Sequence, residues 1–246
     1  MIRLHRPPLP PYAGQDKTLT NLWASWQNPR AVMPNLTALA IARALKQAPP
    51  RGVVTWRALR RGWSSELRSE PGARVIDIAL GLLEAGPWGR LTAYELIASH
   101  PTAIAALTPE SIRRLSRGLS DWGSVDSFAC YVAGPAWREG RLPTRQVHAW
   151  LRSADRWQRR AGVVCTVALN VRARGGRGDT ARTLAVCRRV VGDGDDMVVK
   201  ALSWALRSLI EWDPEAVAGF VDEHRDNLAA RVKREVSTKL RTGRKN

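Results

Sequence analysis

Lysine is nearly missing from this chain of 246 residues: six Lys stand against 33 Arg. Cysteine is as sparse. Cys130, Cys165 and Cys187 are the whole set and share no CxxC spacing, which argues against a disulfide framework and a structural zinc site. The four histidines, His5, His100, His148 and His224, are scattered, so no metal and no cofactor is expected. No run of about 18 apolar residues occurs, so no membrane span is expected. Met1 to Gly14 has no apolar core of the secretory kind. A cytoplasmic protein that does not engage membranes is the expectation.

Acidic residues are also scarce. Lys and Arg number 39 and Asp and Glu 22, a formal net charge of +17. Arg rather than Lys suits planar, bidentate recognition of phosphate. A polyanion is therefore the expected partner, nucleic acid ahead of a membrane surface; the alternative is charge that only keeps the chain soluble. The charge is also uneven. Arg138 to Arg189 holds 13 Arg and only three acids, Glu139, Asp155 and Asp179, a net of +10.

Residues 1–17 are Pro-rich and polar and read as an extended arm. Beyond them, apolar residues recur at intervals of three and four, the helical period. Strand signals are nearly absent, and Val163 to Leu169 sits inside a longer helical pattern. Punctuation predicts helices over 34–47, 56–68, 73–85, 92–106, from 108, 121–133, 144–153, 156–173, 179–191, 196–211 and 214–239, the last broken. Thr108-Pro109-Glu110 and Asp213-Pro214-Glu215 each combine a cap, a Pro at the first helical position and an acid in the first turn. Thr55 is a candidate cap for 56–68, and Gly86-Pro87 a break. About ten or eleven helices with short links, paired roughly every 35–45 residues, predict an all-α fold of HEAT-like helical repeats, a curved α-solenoid whose concave face is basic. The expected division is the arm at 1–17, one domain at 18–240 and a basic tail at 241–246.

Three helices carry unusual residues. In the first, Trp122 and Asp126 stand four apart, one turn along a single face; a half-buried Trp beside a surface Asp would look the same. In the second, Arg160 borders the apolar stripe of Trp157, Ala161, Val164, Cys165 and Ala168. An Arg held there needs an anionic partner. Few acids lie nearby in the sequence, so a phosphate competes with an Asp or Glu for that role. In the third, Trp204 leaves the stripe of Val198, Val199, Leu202, Leu206 and Leu209 and stands among Lys200, Arg207 and Ser208. It reads either as a ligand-facing aromatic or as a Trp at the core edge. Asp193, Asp195 and Asp196 precede that helix and complement its dipole.

The order of these pieces resembles the AlkD-like DNA alkylation repair glycosylases. The matching residues are Trp122 to Asp126, Trp157 to Ala161, Lys200 to Arg207 with Asp213 to Val217, and the tail Arg231 to Lys239 with Val236 where the family has Ala. The match spans about 108–240; Gly52 to Leu59 is a looser likeness, and Gly123 stands where an acid is common. The resemblance implies HEAT-like repeats around duplex DNA and excision of cationic N3- and N7-alkylated purines, leaving an abasic site. It implies Asp126 as the catalytic carboxylate, Trp122 and Trp204 as aromatics flanking the sugar of the lesion, and Arg160 on the nearby backbone. Neighbouring Arg156, Arg159, Lys200 and Arg207 are expected DNA contacts. It also implies action from the backbone side without flipping of the base. A monomer is the default expectation for a solenoid that wraps DNA.

The chemistry suits these residue types. A purine alkylated at N3 or N7 leaves as a neutral base, so no general acid is required. Breaking its glycosidic bond builds an oxocarbenium-like sugar, which calls for a carboxylate and electron-rich faces. A catalytically silent HEAT-like nucleic-acid binder or protein scaffold is the alternative: a binder would need the arginines but not Asp126, and a scaffold would need neither the +17 charge nor the Arg bias.

Overall fold

The computed structural model describes residues 36–47 and 52–244. The Pro-rich arm at 1–17 and the start of the expected 34–47 helix lie outside them. Thirteen helices follow one another, with no strand among the described residues. They are α1 (Ala38–Gln47), α2 (Val53–Glu66), α3 (Gly72–Gly81), α4 (Gly86–Ser99), α5 (Ala103–Ala106) and α6 (Pro109–Leu115). Next comes α7, which runs as Trp122–Phe128, a π-helical turn Ala129–Ala133 and Gly134–Arg138. The remainder are α8 (Thr144–Leu151), α9 (Arg156–Asn170), α10 (Thr180–Arg189), α11 (Asp196–Leu209), α12 (Pro214–Glu223) and α13 (Ala230–Thr242). The helices pack in an all-α, helical-repeat arrangement, and one buried apolar cluster runs through it from Ile41 to Val236. None is long and apolar enough to cross a membrane.

Most starts fall where the capping residues put them. Thr108 and Ser111 form a reciprocal capping box at α6. Asp121, Asp155, Asp195 and Asp213 each accept a hydrogen bond from a first-turn N–H of α7, α9, α11 and α12. Several boundaries differ from expectation. Helix α2 starts at Val53 after Gly52, not at Thr55. Gly86-Pro87 opens α4 rather than only ending what precedes it, because Pro fits the first helical turn. The stretch expected as one 92–106 helix is two helices: His100 is extended, as the residue before a proline prefers.

Helix α9 is the central element. Every residue from Arg160 to Asn170 is buried, so its run of Val side chains is covered on all sides and tertiary packing overrides their modest helix propensity. It packs against α8, α10, α11 and, most extensively, α7.

Two features of α7 fix how it meets α9. The first is the π turn. Pro135 has no N–H to offer the carbonyl of Tyr131, and its ring would crowd that carbonyl in a regular helix. The widened turn, closed by the Gly134 N–H on the Ala129 carbonyl, relieves the clash. The second is Gly134. A Cβ there would lie 2.5 Å from the Ala168 Cβ and 2.7 Å from the Cys165 carbonyl oxygen. The two backbones approach so closely only because that atom is missing.

Gly134→Ala should therefore destabilise the protein by about 1–3 kcal/mol, since the opposing atoms are backbone and a buried methyl that cannot swing aside. Thermal denaturation followed by circular dichroism should show a Tm lowered by several degrees.

Candidate active site

One face of α7 descends from solvent into the core over three residues, each one turn from the last. Trp122, directly after the Asp121 cap, is 64% exposed. Asp126 is mostly buried, with 16% of its side chain exposed. Cys130 is fully enclosed.

Arg160 comes to this face from α9. It is only 6% exposed. Its Nε donates to Oδ1 of Asp126 at 2.8 Å and its Nη2 to Oδ2 at 2.7 Å, a bidentate fork. Its Nη1 donates to the Met197 carbonyl at the start of α11, at 2.5 Å. One guanidinium thus ties three helices together. Arg160 finds an anionic partner within the protein, Asp126, 34 residues upstream. The scarcity of acids near Arg160 in the sequence gave no view of an acid brought in by the fold.

Burial pushes the Asp126 carboxyl above the usual carboxylate range, against the pull of Arg160 and, more weakly, Arg174. The pair therefore sits at a balance: desolvation favours the neutral acid, and two cations favour the anion. A buried ion pair is weak evidence for stability, because an apolar replacement often does as well. A carboxyl with perturbed proton affinity beside an exposed Trp is better evidence for a functional site.

Trp204 lies about two turns along α11 from Met197, half-buried against the core. It reaches the Asp126 face through a residue absent from the expected set, Arg174. The Arg174 guanidinium carbon lies 5.9 Å from the Trp204 ring centroid and 5.4 Å from that of Tyr131. Its Nη1 donates to the Cys130 sulfur at 3.0 Å. Sequence periodicity missed Arg174 because 156–173 reads as one helix followed by a loose glycine loop. The helix in fact ends at Asn170, and Arg174 closes a short 3-10 turn, Arg172–Arg174. The Gly175-Gly176 pair directly after it is the signal that could have located it.

The other expected DNA contacts divide. Arg159 is spent on protein groups: Asp193 at 2.7 Å and the Ser153 and Ala154 carbonyls at 3.0 and 2.9 Å. Arg207, with 11% of its side chain exposed, lies 3.4 Å from Glu235 and donates to Ser203. Arg156 and Lys200 stand at the surface, Arg156 beside the Trp157 ring and 3.7 Å from Asp195, Lys200 2.6 Å from Asp196. The acidic cluster before α11 is thus taken up by ion pairs and by the Asp195 cap.

All three cysteines are free and buried. Burial raises the thiols of Cys130 and Cys187 to about 12 and that of Cys165 higher still. They are thiols rather than thiolate nucleophiles at neutral pH.

A helical-repeat protein with a carboxylate held by an arginine next to an exposed Trp is the class that the fold and geometry define. A family model described as DNA alkylation repair enzyme matches residues 37–240. The chain belongs to that family, and DNA repair is its role. No curated protein and no solved structure gave a match.

Removing the arginine exposes the cost of the carboxylate. Arg160→Ala should destabilise the protein by on the order of 3 kcal/mol near neutral pH, because Asp126 is left mostly buried without a countercharge. The deficit relative to wild type should shrink as pH falls. The variant's folded-state Asp126 pKa rises further, so protonation removes the uncompensated charge. Urea denaturation of both proteins at several pH values checks this.

Proposed function

We propose that the protein is an alkylpurine DNA glycosylase that hydrolyses the N-glycosidic bond of cationic N3- and N7-alkylated purines in duplex DNA. The observation that carries this reading is the Asp126 carboxylate, gripped bidentately by Arg160 one turn below the exposed Trp122.

The alkylated base already bears positive charge, so it departs neutral without being protonated. Positive charge then develops on the deoxyribose. Asp126 faces that charge and stabilises it electrostatically. The fork from Arg160 takes one hydrogen bond on each carboxylate oxygen. Each oxygen keeps acceptor capacity, enough to orient a water toward the sugar carbon. Water adds there, its proton passes to solvent or to Asp126, and an abasic site remains. Trp122 and Trp204 offer their ring faces to the sugar.

Arg160 positions Asp126 and keeps it ionised. In this reading its contribution to the DNA backbone is indirect, and Arg156 and Lys200 are the cations of the expected set placed to meet phosphates. The protein works as a monomer from the backbone side, with no cofactor and no flipped base.

The alternative, a silent DNA-binding member of the family, draws on the same ion pair: both oxygens of Asp126 are already engaged, as in a purely structural bridge. Base release separates the two. Duplex DNA carrying N7-methylguanine or N3-methyladenine should yield free alkylated purine, detected by mass spectrometry. Asp126→Asn should lower the rate at least 100-fold while DNA affinity is kept. No release by the wild type, or equal release by the variant, contradicts the assignment. The acid limb of the rate profile should lie above the ordinary carboxylate range, since burial raises Asp126 and only its anion works.

A further inference from the structure

A cavity of about 320 Å³ opens one turn along α7 from Asp126. Cys130 and Tyr131 form part of its wall, together with Arg60, Glu95, Arg138 and Arg174. Three guanidinium groups thus face one carboxylate, an excess of positive charge that repels a cationic base and attracts an anion.

The three arginines are not equally free. Arg60 lies 3.0 Å from Glu95, off-axis for a hydrogen bond at Nε, and donates to Ser64 at 3.3 Å. Arg138 is spent on Glu139 and on the carbonyls of Ala168 and Arg174. Arg174 forms no ion pair among the described residues, and its one side-chain hydrogen bond goes to a thiol sulfur, a weak acceptor. Its remaining N–H donors have no acceptor among the described residues.

Arg174 is nevertheless held in place. The Val171 carbonyl accepts from its backbone N–H at 2.9 Å, and Arg138 donates to its carbonyl at 2.9 Å. Gly175 then turns the chain with φ of 76°. The rings of Tyr131 and Trp204 flank the guanidinium. A half-buried, pre-set cation with unspent donors is the arrangement that favours bidentate capture of a phosphate, since little ordering remains to be done on binding.

We infer that this cavity is a binding pocket for one backbone phosphodiester of the DNA strand, next to the nucleotide at Asp126, with Arg174 as the residue that grips it. The inference rests on the proposed reading of Asp126 as the reacting centre. Seating that phosphate makes Arg174 a positioning residue: it sets the sugar between Asp126 and Trp204, whose ring Arg174 already touches.

The test uses the whole protein and duplex DNA carrying one tetrahydrofuran abasic analogue, which fixes the register and needs no excision. Affinity measured by fluorescence anisotropy against salt should show a log–log slope smaller by about 0.9 in Arg174→Ala, the loss of one phosphate contact. Neutral methylphosphonates placed singly along the strand should then reveal one position where the wild type loses affinity several-fold and Arg174→Ala loses nothing more. Arg174→Lys serves if the alanine variant unfolds. It should retain the slope and lose affinity for the all-phosphate duplex, with no loss once the phosphate at that position is neutral. An unchanged slope in Arg174→Ala, or methylphosphonate penalties equal in all proteins at every position, overturns the pocket. Wild type that shows the Arg174-dependent phosphate yet releases no alkylated base would leave the pocket standing and remove the glycosylase assignment instead.

Discussion

The bidentate pair between Asp126 and Arg160 is the constraint on which the rest of the site depends. Two charges have been taken largely out of water, at a desolvation cost that their attraction only roughly offsets. What the protein obtains is geometry. Arg160 holds the carboxylate of α7 with two donors and the start of α11 with a third. A shift of α7 or α9 would leave a charge without its partner, and a shift of α11 would leave a buried N–H donor without its acceptor. The scaffold around the pair is correspondingly tight: α9 is buried along its length from Arg160, and Gly134 lets α7 approach it to backbone contact.

The same pair reconciles burial with chemistry. A carboxylate meant to face a developing cation works best where water does not screen it, yet burial favours its protonated form. Arg160 opposes that tendency without occupying the whole of either oxygen. Arg174 adds a weaker pull from the next turn and carries the excess positive charge toward the neighbouring cavity. In the proposed reading the electrostatics divide the surface by function: carboxylate and aromatic faces toward the sugar where a cation would form, guanidinium toward the anionic strand.

Much of this was legible in the sequence. Asp121, Asp155 and Asp213 announce helix starts because a side-chain cap is a local matter, and each does cap; Asp195, read only as an acid at the helix dipole, caps as well. The Trp122–Asp126 spacing follows from helical geometry, and Asp126 lies on the face it predicts. What could not be read is whatever depends on distant partners. Arg160 was visible as a cation in need of an anion, but its acid lies on another helix, and a phosphate was as good a candidate. Arg159 and Arg207 carried the same formal charge as Arg156 and Lys200, and only packing spends the former pair on Asp193 and Glu235. The π turn hides because Pro135 alone does not say whether a helix kinks, ends or widens. Arg174 hides for a related reason: its place follows from α9 ending earlier than its periodicity suggests.

The central claim is that Asp126 acts on positive charge at the sugar. It is tested most directly by affinity for two duplexes that differ only in that charge. One carries a neutral tetrahydrofuran abasic analogue, the other a pyrrolidine analogue whose ring nitrogen is protonated. The account predicts that the wild type binds the cationic analogue more tightly, as a mimic of the transition state should be bound, and that Asp126→Asn loses the preference. Equal affinity of the wild type for both duplexes, or a preference that survives in Asp126→Asn, would contradict it.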